Sequence, residues 1–551
     1  MMGENFVRYL EGSIRDNWKL TAFSDWGADS LSYGEVGERI YRLHALFEAC
    51  GLKAGDKVSL LGRNSSSWAT CYLAVVTYGA VIIPILPDFH PHDVETIVDH
   101  SESRLFFTTG AFLSKLDQGK MPGLRGIFSL EGTGLLAGPA DMAGMADKAA
   151  ARFEAAYRGR LAPEAFGFGP VPNEALAAIV YTSGTTGFSK GVMLTHNVFI
   201  SNLVYSQKNV FLFPGDTILS FLPLAHMFGC AFEFIFPFSR GCHITFLGRI
   251  PSTSLLIEAF ATVKPRLVLT VPLVIEKIYY KQLEPLLSTP RMRALLKVPG
   301  LRSIIYRKIR DKLLGFFGGN VIQVIIGGAS FNAEVERFLK LVHFRYTIGY
   351  GMTECGPLIT YVGWKEHRQA SVGHLVDGME MKIVPLAESA QGEIYIRGEN
   401  LMSGYYRNPE ETAAAMGPDG WFRTGDLGSM DDDGNIFIRG RCKTMILNSS
   451  GQNIYPEEIE AKLNVLPLVA ESLVRDEGGR LSALVFPDLA EAEKKGLGEK
   501  GLAELMEEHR RKVNNELPEY SRLARIGLRL EEFEKTPTNK IKRFLYAVDA
   551  N

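Results

Sequence analysis

Short apolar runs alternate with helix-length segments through most of the first 350 residues. Residues 57–61, 80–85, 105–108, 177–181, 217–221, 243–246, 267–270 and 321–326 are rich in Val, Ile, Leu or Phe. Runs this short and this apolar read as strands buried on both faces. Helical stretches between most of them predict an α/β chain of layered, mixed and largely parallel sheets. At 551 residues the chain is too long for one core and divides into domains.

The texture changes near residue 377. Residues 381–384, 393–397 and 435–439 read as short strands separated by Gly-Glu, Asp-Gly and Gly-Asn turns, which predicts a small β subdomain over about 377–439. It closes a large N-terminal domain, residues 1–439. After Gly440 a compact α/β module is expected over 440–551, of ordinary domain size. Within it, residues 455–466 read as a helix with Pro456 in its first turn, 481–486 as a strand, 502–517 as a helix and 526–530 as a strand. Residues 487–501 read as a solvated loop or exposed helix. There is no internal repeat.

Composition removes several classes of function. Apolar residues make up 46% and charged residues 22%, as in soluble globular proteins. A net charge of −2 supplies no global basic field for nucleic acid. Cys50, Cys71, Cys230, Cys242, Cys355 and Cys442 form no C-x-x-C pair, which argues against a zinc cluster or disulfide framework and fits a reducing cytoplasm. The first ten residues carry Glu4 and Arg8 and do not read as a signal peptide. Residues 68–86 lack charge, but Gly79 breaks the run and Pro84 and Pro87 end it. A helix to about Tyr78 followed by a buried strand is expected there, not a membrane span.

The most telling local feature is Tyr181-Thr182-Ser183-Gly184-Thr185-Thr186-Gly187-Phe188-Ser189-Lys190-Gly191, directly behind an apolar strand. It reads as a strand-to-helix loop, with Thr195 or Asn197 capping the next helix. Glycines let backbone N–H groups converge, and the hydroxyls add donors, so the loop suits phosphate oxygens; Lys190 adds a positive charge. The spacing departs from G-x-x-x-x-G-K-[ST], since Ser189 stands where the second glycine belongs.

Six further motifs follow in order: Leu222-Pro223-Leu224-Ala225-His226-Met227-Phe228, Gly327-Gly328-Ala329-Ser330, Gly349-Tyr350-Gly351-Met352-Thr353-Glu354, Gly420-Trp421-Phe422-Arg423-Thr424-Gly425-Asp426-Leu427, Gly440-Arg441-Cys442-Lys443 and Thr536-Pro537-Thr538-Asn539-Lys540-Ile541-Lys542-Arg543. With them the chain resembles the acyl- and aryl-adenylate-forming (AMP-binding) enzymes across roughly residues 31–543. It looks most similar to long-chain fatty acyl-CoA synthetases, through the Leu222–Met227 phrase, the Val271–Ile278 phrase and the C-terminal motif. Ser189 stands where many members have proline, and Thr444 follows Lys443 where an acidic residue is common.

The resemblance implies ATP-dependent activation of a fatty acid as acyl-AMP, then transfer to the thiol of coenzyme A. Two anions must meet in the first step, so catalysis rests on positioning and charge neutralisation. The family pattern implies that Thr182, Ser183, Gly184, Thr185, Thr186, Gly187 and Lys190 hold the β- and γ-phosphates, and that Thr182 and Glu354 bind Mg²⁺, which takes few protein ligands. Asp426 accepts from the ribose hydroxyls, with Arg441 beside it. Tyr350, with Gly349, Gly351, Met352 and Thr353 around it, offers a face for adenine; Gly327, Gly328, Ala329 and Ser330 offer close backbone approach. Lys540 neutralises charge between the acyl carboxylate and the α-phosphate. The tail would swing about Lys443 between the two steps, and His226 matches the residue that opens the thiol channel.

Taken singly, these residues have plainer readings. Asp426 suits a turn, Glu354 a helix start, Lys540 a solvated surface and His226 a partly buried site. Phe228, Phe232, Phe234, Phe236 and Met352 read either as an acyl slot or as core. Residues 291–312 carry eight cations against Asp311, with leucines and isoleucines interleaved. They read as a solvated helical face or as a peripheral contact with an anionic membrane surface. An acyl carrier protein as acceptor, a luciferase-like oxidase and a non-catalytic nucleotide-binding regulator are the competing functions.

Overall fold

A computed structural model describes residues 2–157, 161–183, 189–385, 391–447, 453–536 and 540–547. Two large sheets form the body. One has strand order Tyr346–Ile348, Gln323–Ile326, Leu267–Thr270, Thr217–Ser220, His243–Phe246, Thr21–Asp25 and Ser30–Ser32, parallel except at the last pair. The other runs Gly404–Tyr405, Ser189–Thr195, Leu176–Ser183, Val81–Ile85, Lys57–Leu61, Ser103–Thr108, Gly126–Ser129 and Leu135–Ala137. Its centre is parallel and its margins are antiparallel. One hydrophobic cluster spans both sheets and the helices packed on them. The helix Phe6–Asp16 and strand Thr21–Asp25 belong to this body, although no apolar run announced them.

The uncharged stretch resolves as expected. The helix Ser66–Tyr78 stops at Gly79, whose φ of +83° suits a residue without a side chain, and the strand Val81–Ile85 is wholly buried. Among the described residues no helix is long and apolar enough to cross a membrane.

Met379–Pro385, Gly392–Gly398, Phe422–Met430 and Ile436–Arg441 make an antiparallel four-stranded sheet. Beyond it, Val469–Asp476 and Leu481–Pro487 pair antiparallel, and Arg525–Leu528 joins them in parallel. Helices Pro456–Leu463 and Glu499–Asn514 enclose a separate cluster that includes Ile459, Leu463, Val474, Val485, Met506 and Val513. The strand Val469–Asp476 went unread in the sequence because Glu471, Arg475 and Asp476 interrupt its apolar pattern. Residues 291–312 lie on the helices Pro290–Leu295 and Pro299–Phe316.

The expected strand-to-helix setting of the phosphate loop is corrected here. Leu176–Ser183 and Ser189–Thr195 form an antiparallel hairpin that brackets the loop, and the helix His196–Asn209 begins only after the second strand. The glycines had masked the alternation in Lys190-Gly191-Val192-Met193-Leu194. Thr195 takes the N-cap position without a side-chain capping bond.

Candidate active site

The parallel strands Gln323–Ile326 and Tyr346–Ile348 are neighbours, so the segments leaving their C-terminal ends emerge side by side. Ligands in α/β proteins gather at such ends. Gly327, Gly328, Ala329 and Ser330 follow the first strand; Gly349, Tyr350, Gly351, Met352, Thr353 and Glu354 follow the second. All line one cavity of about 1800 Å³, well above the roughly 300–1000 Å³ of an ordinary small-molecule pocket. Gly328 has φ +86°, and a Cβ on Gly351 would stand 2.0 Å from the Pro357 carbonyl oxygen, so neither position admits a side chain without rearrangement.

Asp426 enters from the four-stranded sheet, where it pairs in register with Arg441. Arg441 Nε lies 3.0 Å from Asp426 Oδ1, and the Tyr350 hydroxyl donates to Oδ2 at 2.6 Å. The Asp426 backbone N–H donates to Thr424 Oγ1 at 3.0 Å. Asp426 is only 4% exposed, yet each carboxylate oxygen keeps a lone pair for a further donor. Burial and then the Asp426 charge push the Tyr350 phenol well above its usual pKa, and Asp426 raises that of Arg441. The three groups form a locked unit at neutral pH.

Glu354 sits on the turn Thr353–Cys355, and its Oε1 accepts from the Tyr405 hydroxyl at 2.9 Å. Thr182 lines the same cavity. One carboxylate and one hydroxyl lining one cavity are donor types that suit Mg²⁺, which keeps waters and phosphate oxygens as its remaining ligands. Ser183 ends its strand opposite Ser189. Gly184, Thr185, Thr186 and Gly187 lie outside the described residues, as do Pro537, Thr538 and Asn539. Lys190 departs from expectation. It does not line the cavity; its ammonium pairs with Glu411 and stands 5.1 Å from the centre of the Tyr405 ring.

His226 caps the short helix Met227–Gly229, its Nδ1 accepting from the Phe228 N–H at 3.3 Å, so the neutral ring carries its proton on Nε2. Two side chains, the half-buried Asn64 and the fully buried Glu233, hold the loop that presents it. Asn64 donates to the Leu222 carbonyl at 2.7 Å and accepts from the Leu224 N–H at 3.0 Å. Glu233 accepts from the Phe221 and Leu222 N–H groups at 3.0 and 2.9 Å. Burial holds the Glu233 carboxyl well above the usual range, and burial with the nearby Lys540 charge lowers His226 to about 4.

Lys540 reaches the cavity from the tail, and the Thr536 N–H donates to the Lys540 carbonyl at 2.8 Å. Enclosure, then the Arg441 charge, lowers its pKa; Asp426 and Glu354 oppose the shift. Its side chain stays open to the cavity while protein surrounds it. Lys443 lines the cavity after the strand Ile436–Arg441. Around it, the Cys442 N–H donates to the Gly425 carbonyl at 2.8 Å, and the Thr444 hydroxyl to Glu457 at 2.6 Å.

Of the aromatic run, Phe228, Phe232 and Phe236 line the cavity with Met352, Tyr205 and Val210. Phe234 is core instead, fully buried among Phe23, Trp68 and Tyr72. Residues 228, 232 and 236 recur at helical spacing on one face, while Phe234, two residues from its neighbours, points to the other. Tyr405, Glu411, Asn64 and Glu233 were absent from the sequence reading. Their partners lie far away in the chain, and only Gly404-Tyr405 beside a glycine hinted at a close approach.

The AMP-binding enzyme family pattern matches residues 12–406. The long-chain-fatty-acid–CoA ligase FadD15 of Mycobacterium bovis is 29% identical over 458 residues, covering 77% of this chain and 71% of that protein. Long chain acyl-CoA synthetase 1 of Arabidopsis thaliana is 30% identical over 472 residues, covering 78% and 69%. Among solved structures, the anthranilate CoA ligase AuaEII in complex with anthranoyl-AMP superposes with TM-score 0.76 at 20% identity, covering 98% of this chain and 96% of that one, which establishes a shared fold. The chain belongs to the AMP-binding enzyme family.

Proposed function

We propose that this protein is an ATP-dependent acid–thiol ligase that activates a fatty acid as acyl-AMP and passes the acyl group to coenzyme A, releasing pyrophosphate and AMP. The observation that carries the reading is the convergence of Lys540 with Asp426, Arg441, Glu354 and His226 on one cavity with a phenylalanine-lined arm. In the first step the acid carboxylate attacks the α-phosphorus of ATP and pyrophosphate leaves. Lys540 supplies the cation between the two anions. Asp426 accepts from ribose hydroxyls, and Tyr350 and Arg441 hold its carboxylate in place for them. The glycines of Gly327-Gly328 and Gly349-Tyr350-Gly351 admit the flat base. Thr182 and Glu354 would hold Mg²⁺, which offsets phosphate charge when bound, and Tyr405 orients Glu354 for it. Phe228, Phe232 and Phe236 wall the apolar tail of the acid.

The second step needs the thiol to reach the acyl carbonyl where Lys540 now stands. We assign residues 1–439 to a front domain, with a β subdomain at 377–439, and 440–551 to a tail that turns about Lys443. The separate core of the tail and its tether through Thr444 support that division. Coenzyme A is preferred to an acyl carrier protein because the similar proteins are named as CoA ligases. Purified protein should exchange labelled pyrophosphate into ATP only when a fatty acid is present, and should form the acyl-CoA thioester when coenzyme A is added. Absence of acid-dependent exchange across chain lengths would overturn the assignment.

A second reading concerns where the acid is met. Leu295, Val298, Leu301 and Ile304 are 42–52% exposed on the helices of residues 290–316. Arg291, Arg293, Lys297, Arg302, Arg307, Lys308 and Lys312 beside them have no ion-pair partner among the described residues, whereas Arg310 pairs with Asp311. Unpaired cations flanking exposed leucines match an anionic bilayer surface, from which fatty acid partitions. Flotation with phosphatidylglycerol vesicles but not with phosphatidylcholine vesicles is the expected outcome; equal behaviour in both removes this contact.

A further inference from the structure

Lys190 stands opposite Thr182 in the hairpin that brackets the phosphate loop, yet it does not line the cleft. A single segment accounts for this. The strand Gly404–Tyr405 hydrogen-bonds along Ser189–Thr195, and the Tyr406 N–H donates to the Gly191 carbonyl at 2.7 Å. That register brings the Tyr405 ring beneath Lys190 and the Tyr405 hydroxyl to Glu354. The helix Pro409–Ala415 follows, and its Glu411 takes the Lys190 ammonium. Glu411 also feels the charge of Lys443, at the proposed hinge.

We propose that Glu411 is a resident counter-anion that competes with phosphate for Lys190. The inference rests on the reading of Lys190 as a phosphate group's partner. Glu411 is 43% and Lys190 22% exposed at the side chain, and a pair this open to water is weak and exchangeable. A polyphosphate carries more charge than one carboxylate and draws the ammonium away when ATP arrives. Once the nucleotide is cleaved, Glu411 recaptures Lys190, and pyrophosphate loses one of its cations. The carboxylate therefore speeds product release.

The test uses the full-length enzyme and pyrophosphate as probe. Glu411→Gln keeps the side-chain shape and removes the charge. Its inhibition constant for pyrophosphate should fall roughly two- to fivefold, the size of a partly exposed ion pair. Glu411→Asp should stay near the parent enzyme. In a Lys190→Met background the Glu411→Gln change should have no further effect. An unchanged or weaker pyrophosphate inhibition in Glu411→Gln, with thermal stability preserved, overturns the proposal. If Lys190→Met alone alters neither the KM for ATP nor pyrophosphate inhibition, the phosphate reading of Lys190 falls as well. If it weakens both while Glu411→Gln changes nothing, only the counter-anion role is lost.

Discussion

The two walls of the cleft are built differently. On one side, Tyr350 and Asp426 of the front body and Arg441, just ahead of the proposed turning point Lys443, lock one another through a 2.6 Å hydrogen bond and a 3.0 Å ion pair, on strands of a three-stranded and a four-stranded sheet. On the tail side, Lys540 reaches in, and the module behind it packs around its own small cluster. A group that recognises the same nucleotide in both half-reactions gains from rigidity. A group needed in one half-reaction and obstructive in the other gains from being carried on a separable body.

The sharpest way to break this contrast is Lys540→Ala. Acyl-adenylate formation should fall by about 10²–10³-fold, as for loss of a group that stabilises developing charge. Thioester formation from supplied acyl-adenylate should be unchanged. Equal loss in both half-reactions would show that the tail lysine serves both steps and is no more dispensable than the floor. Asp426→Asn probes the opposite wall. Loss of a charge-assisted acceptor should weaken ATP by about 10–100-fold in both half-reactions; an effect confined to one would contradict a permanent floor. Tyr405→Phe removes one hydrogen bond to Glu354. Titration with magnesium should reveal a requirement raised by about two- to tenfold, and an unchanged requirement would remove Tyr405 from the site.

The smallest effect links the two walls. His226 titrates near 4 when folded and near 6.5 as an ordinary histidine. As pH falls through 6.5 the unfolded chain takes the proton first, so stability declines between 6.5 and about 4 and levels off below. Part of that depression comes from Lys540. In Lys540→Ala the His226 imidazole should therefore titrate higher by NMR, and an unmoved resonance would mean that the tail does not reach His226 in solution.

Legibility followed the range of the interaction. Strands such as His243–Phe246 and Leu267–Thr270 coincide with their apolar runs because burial on both faces demands continuous hydrophobicity. The second hairpin strand, Ser189–Thr195, was hidden by its glycine and lysine. Phe232 and Phe234 looked equivalent until the helical turn that carries them sent one to the cavity and the other to the core. Glu354 stood out in its motif, but Tyr405, 51 residues on, carried no local sign of being its partner.

Chain order alone was enough to identify an adenylate-forming architecture and the group types its chemistry needs, because those constraints are local. They are glycine where backbone must approach, a carboxylate two residues past a threonine, and a lysine near the end of the chain. Which charges actually meet was decided by packing. Strand order brought Asp426 against Arg441 and Tyr350, and the antiparallel edge gave Lys190 to Glu411 instead of to the cleft. Coulomb and hydrogen-bond energies depend on distances of a few ångströms, and residues far apart in the chain acquire those distances only when sheets assemble.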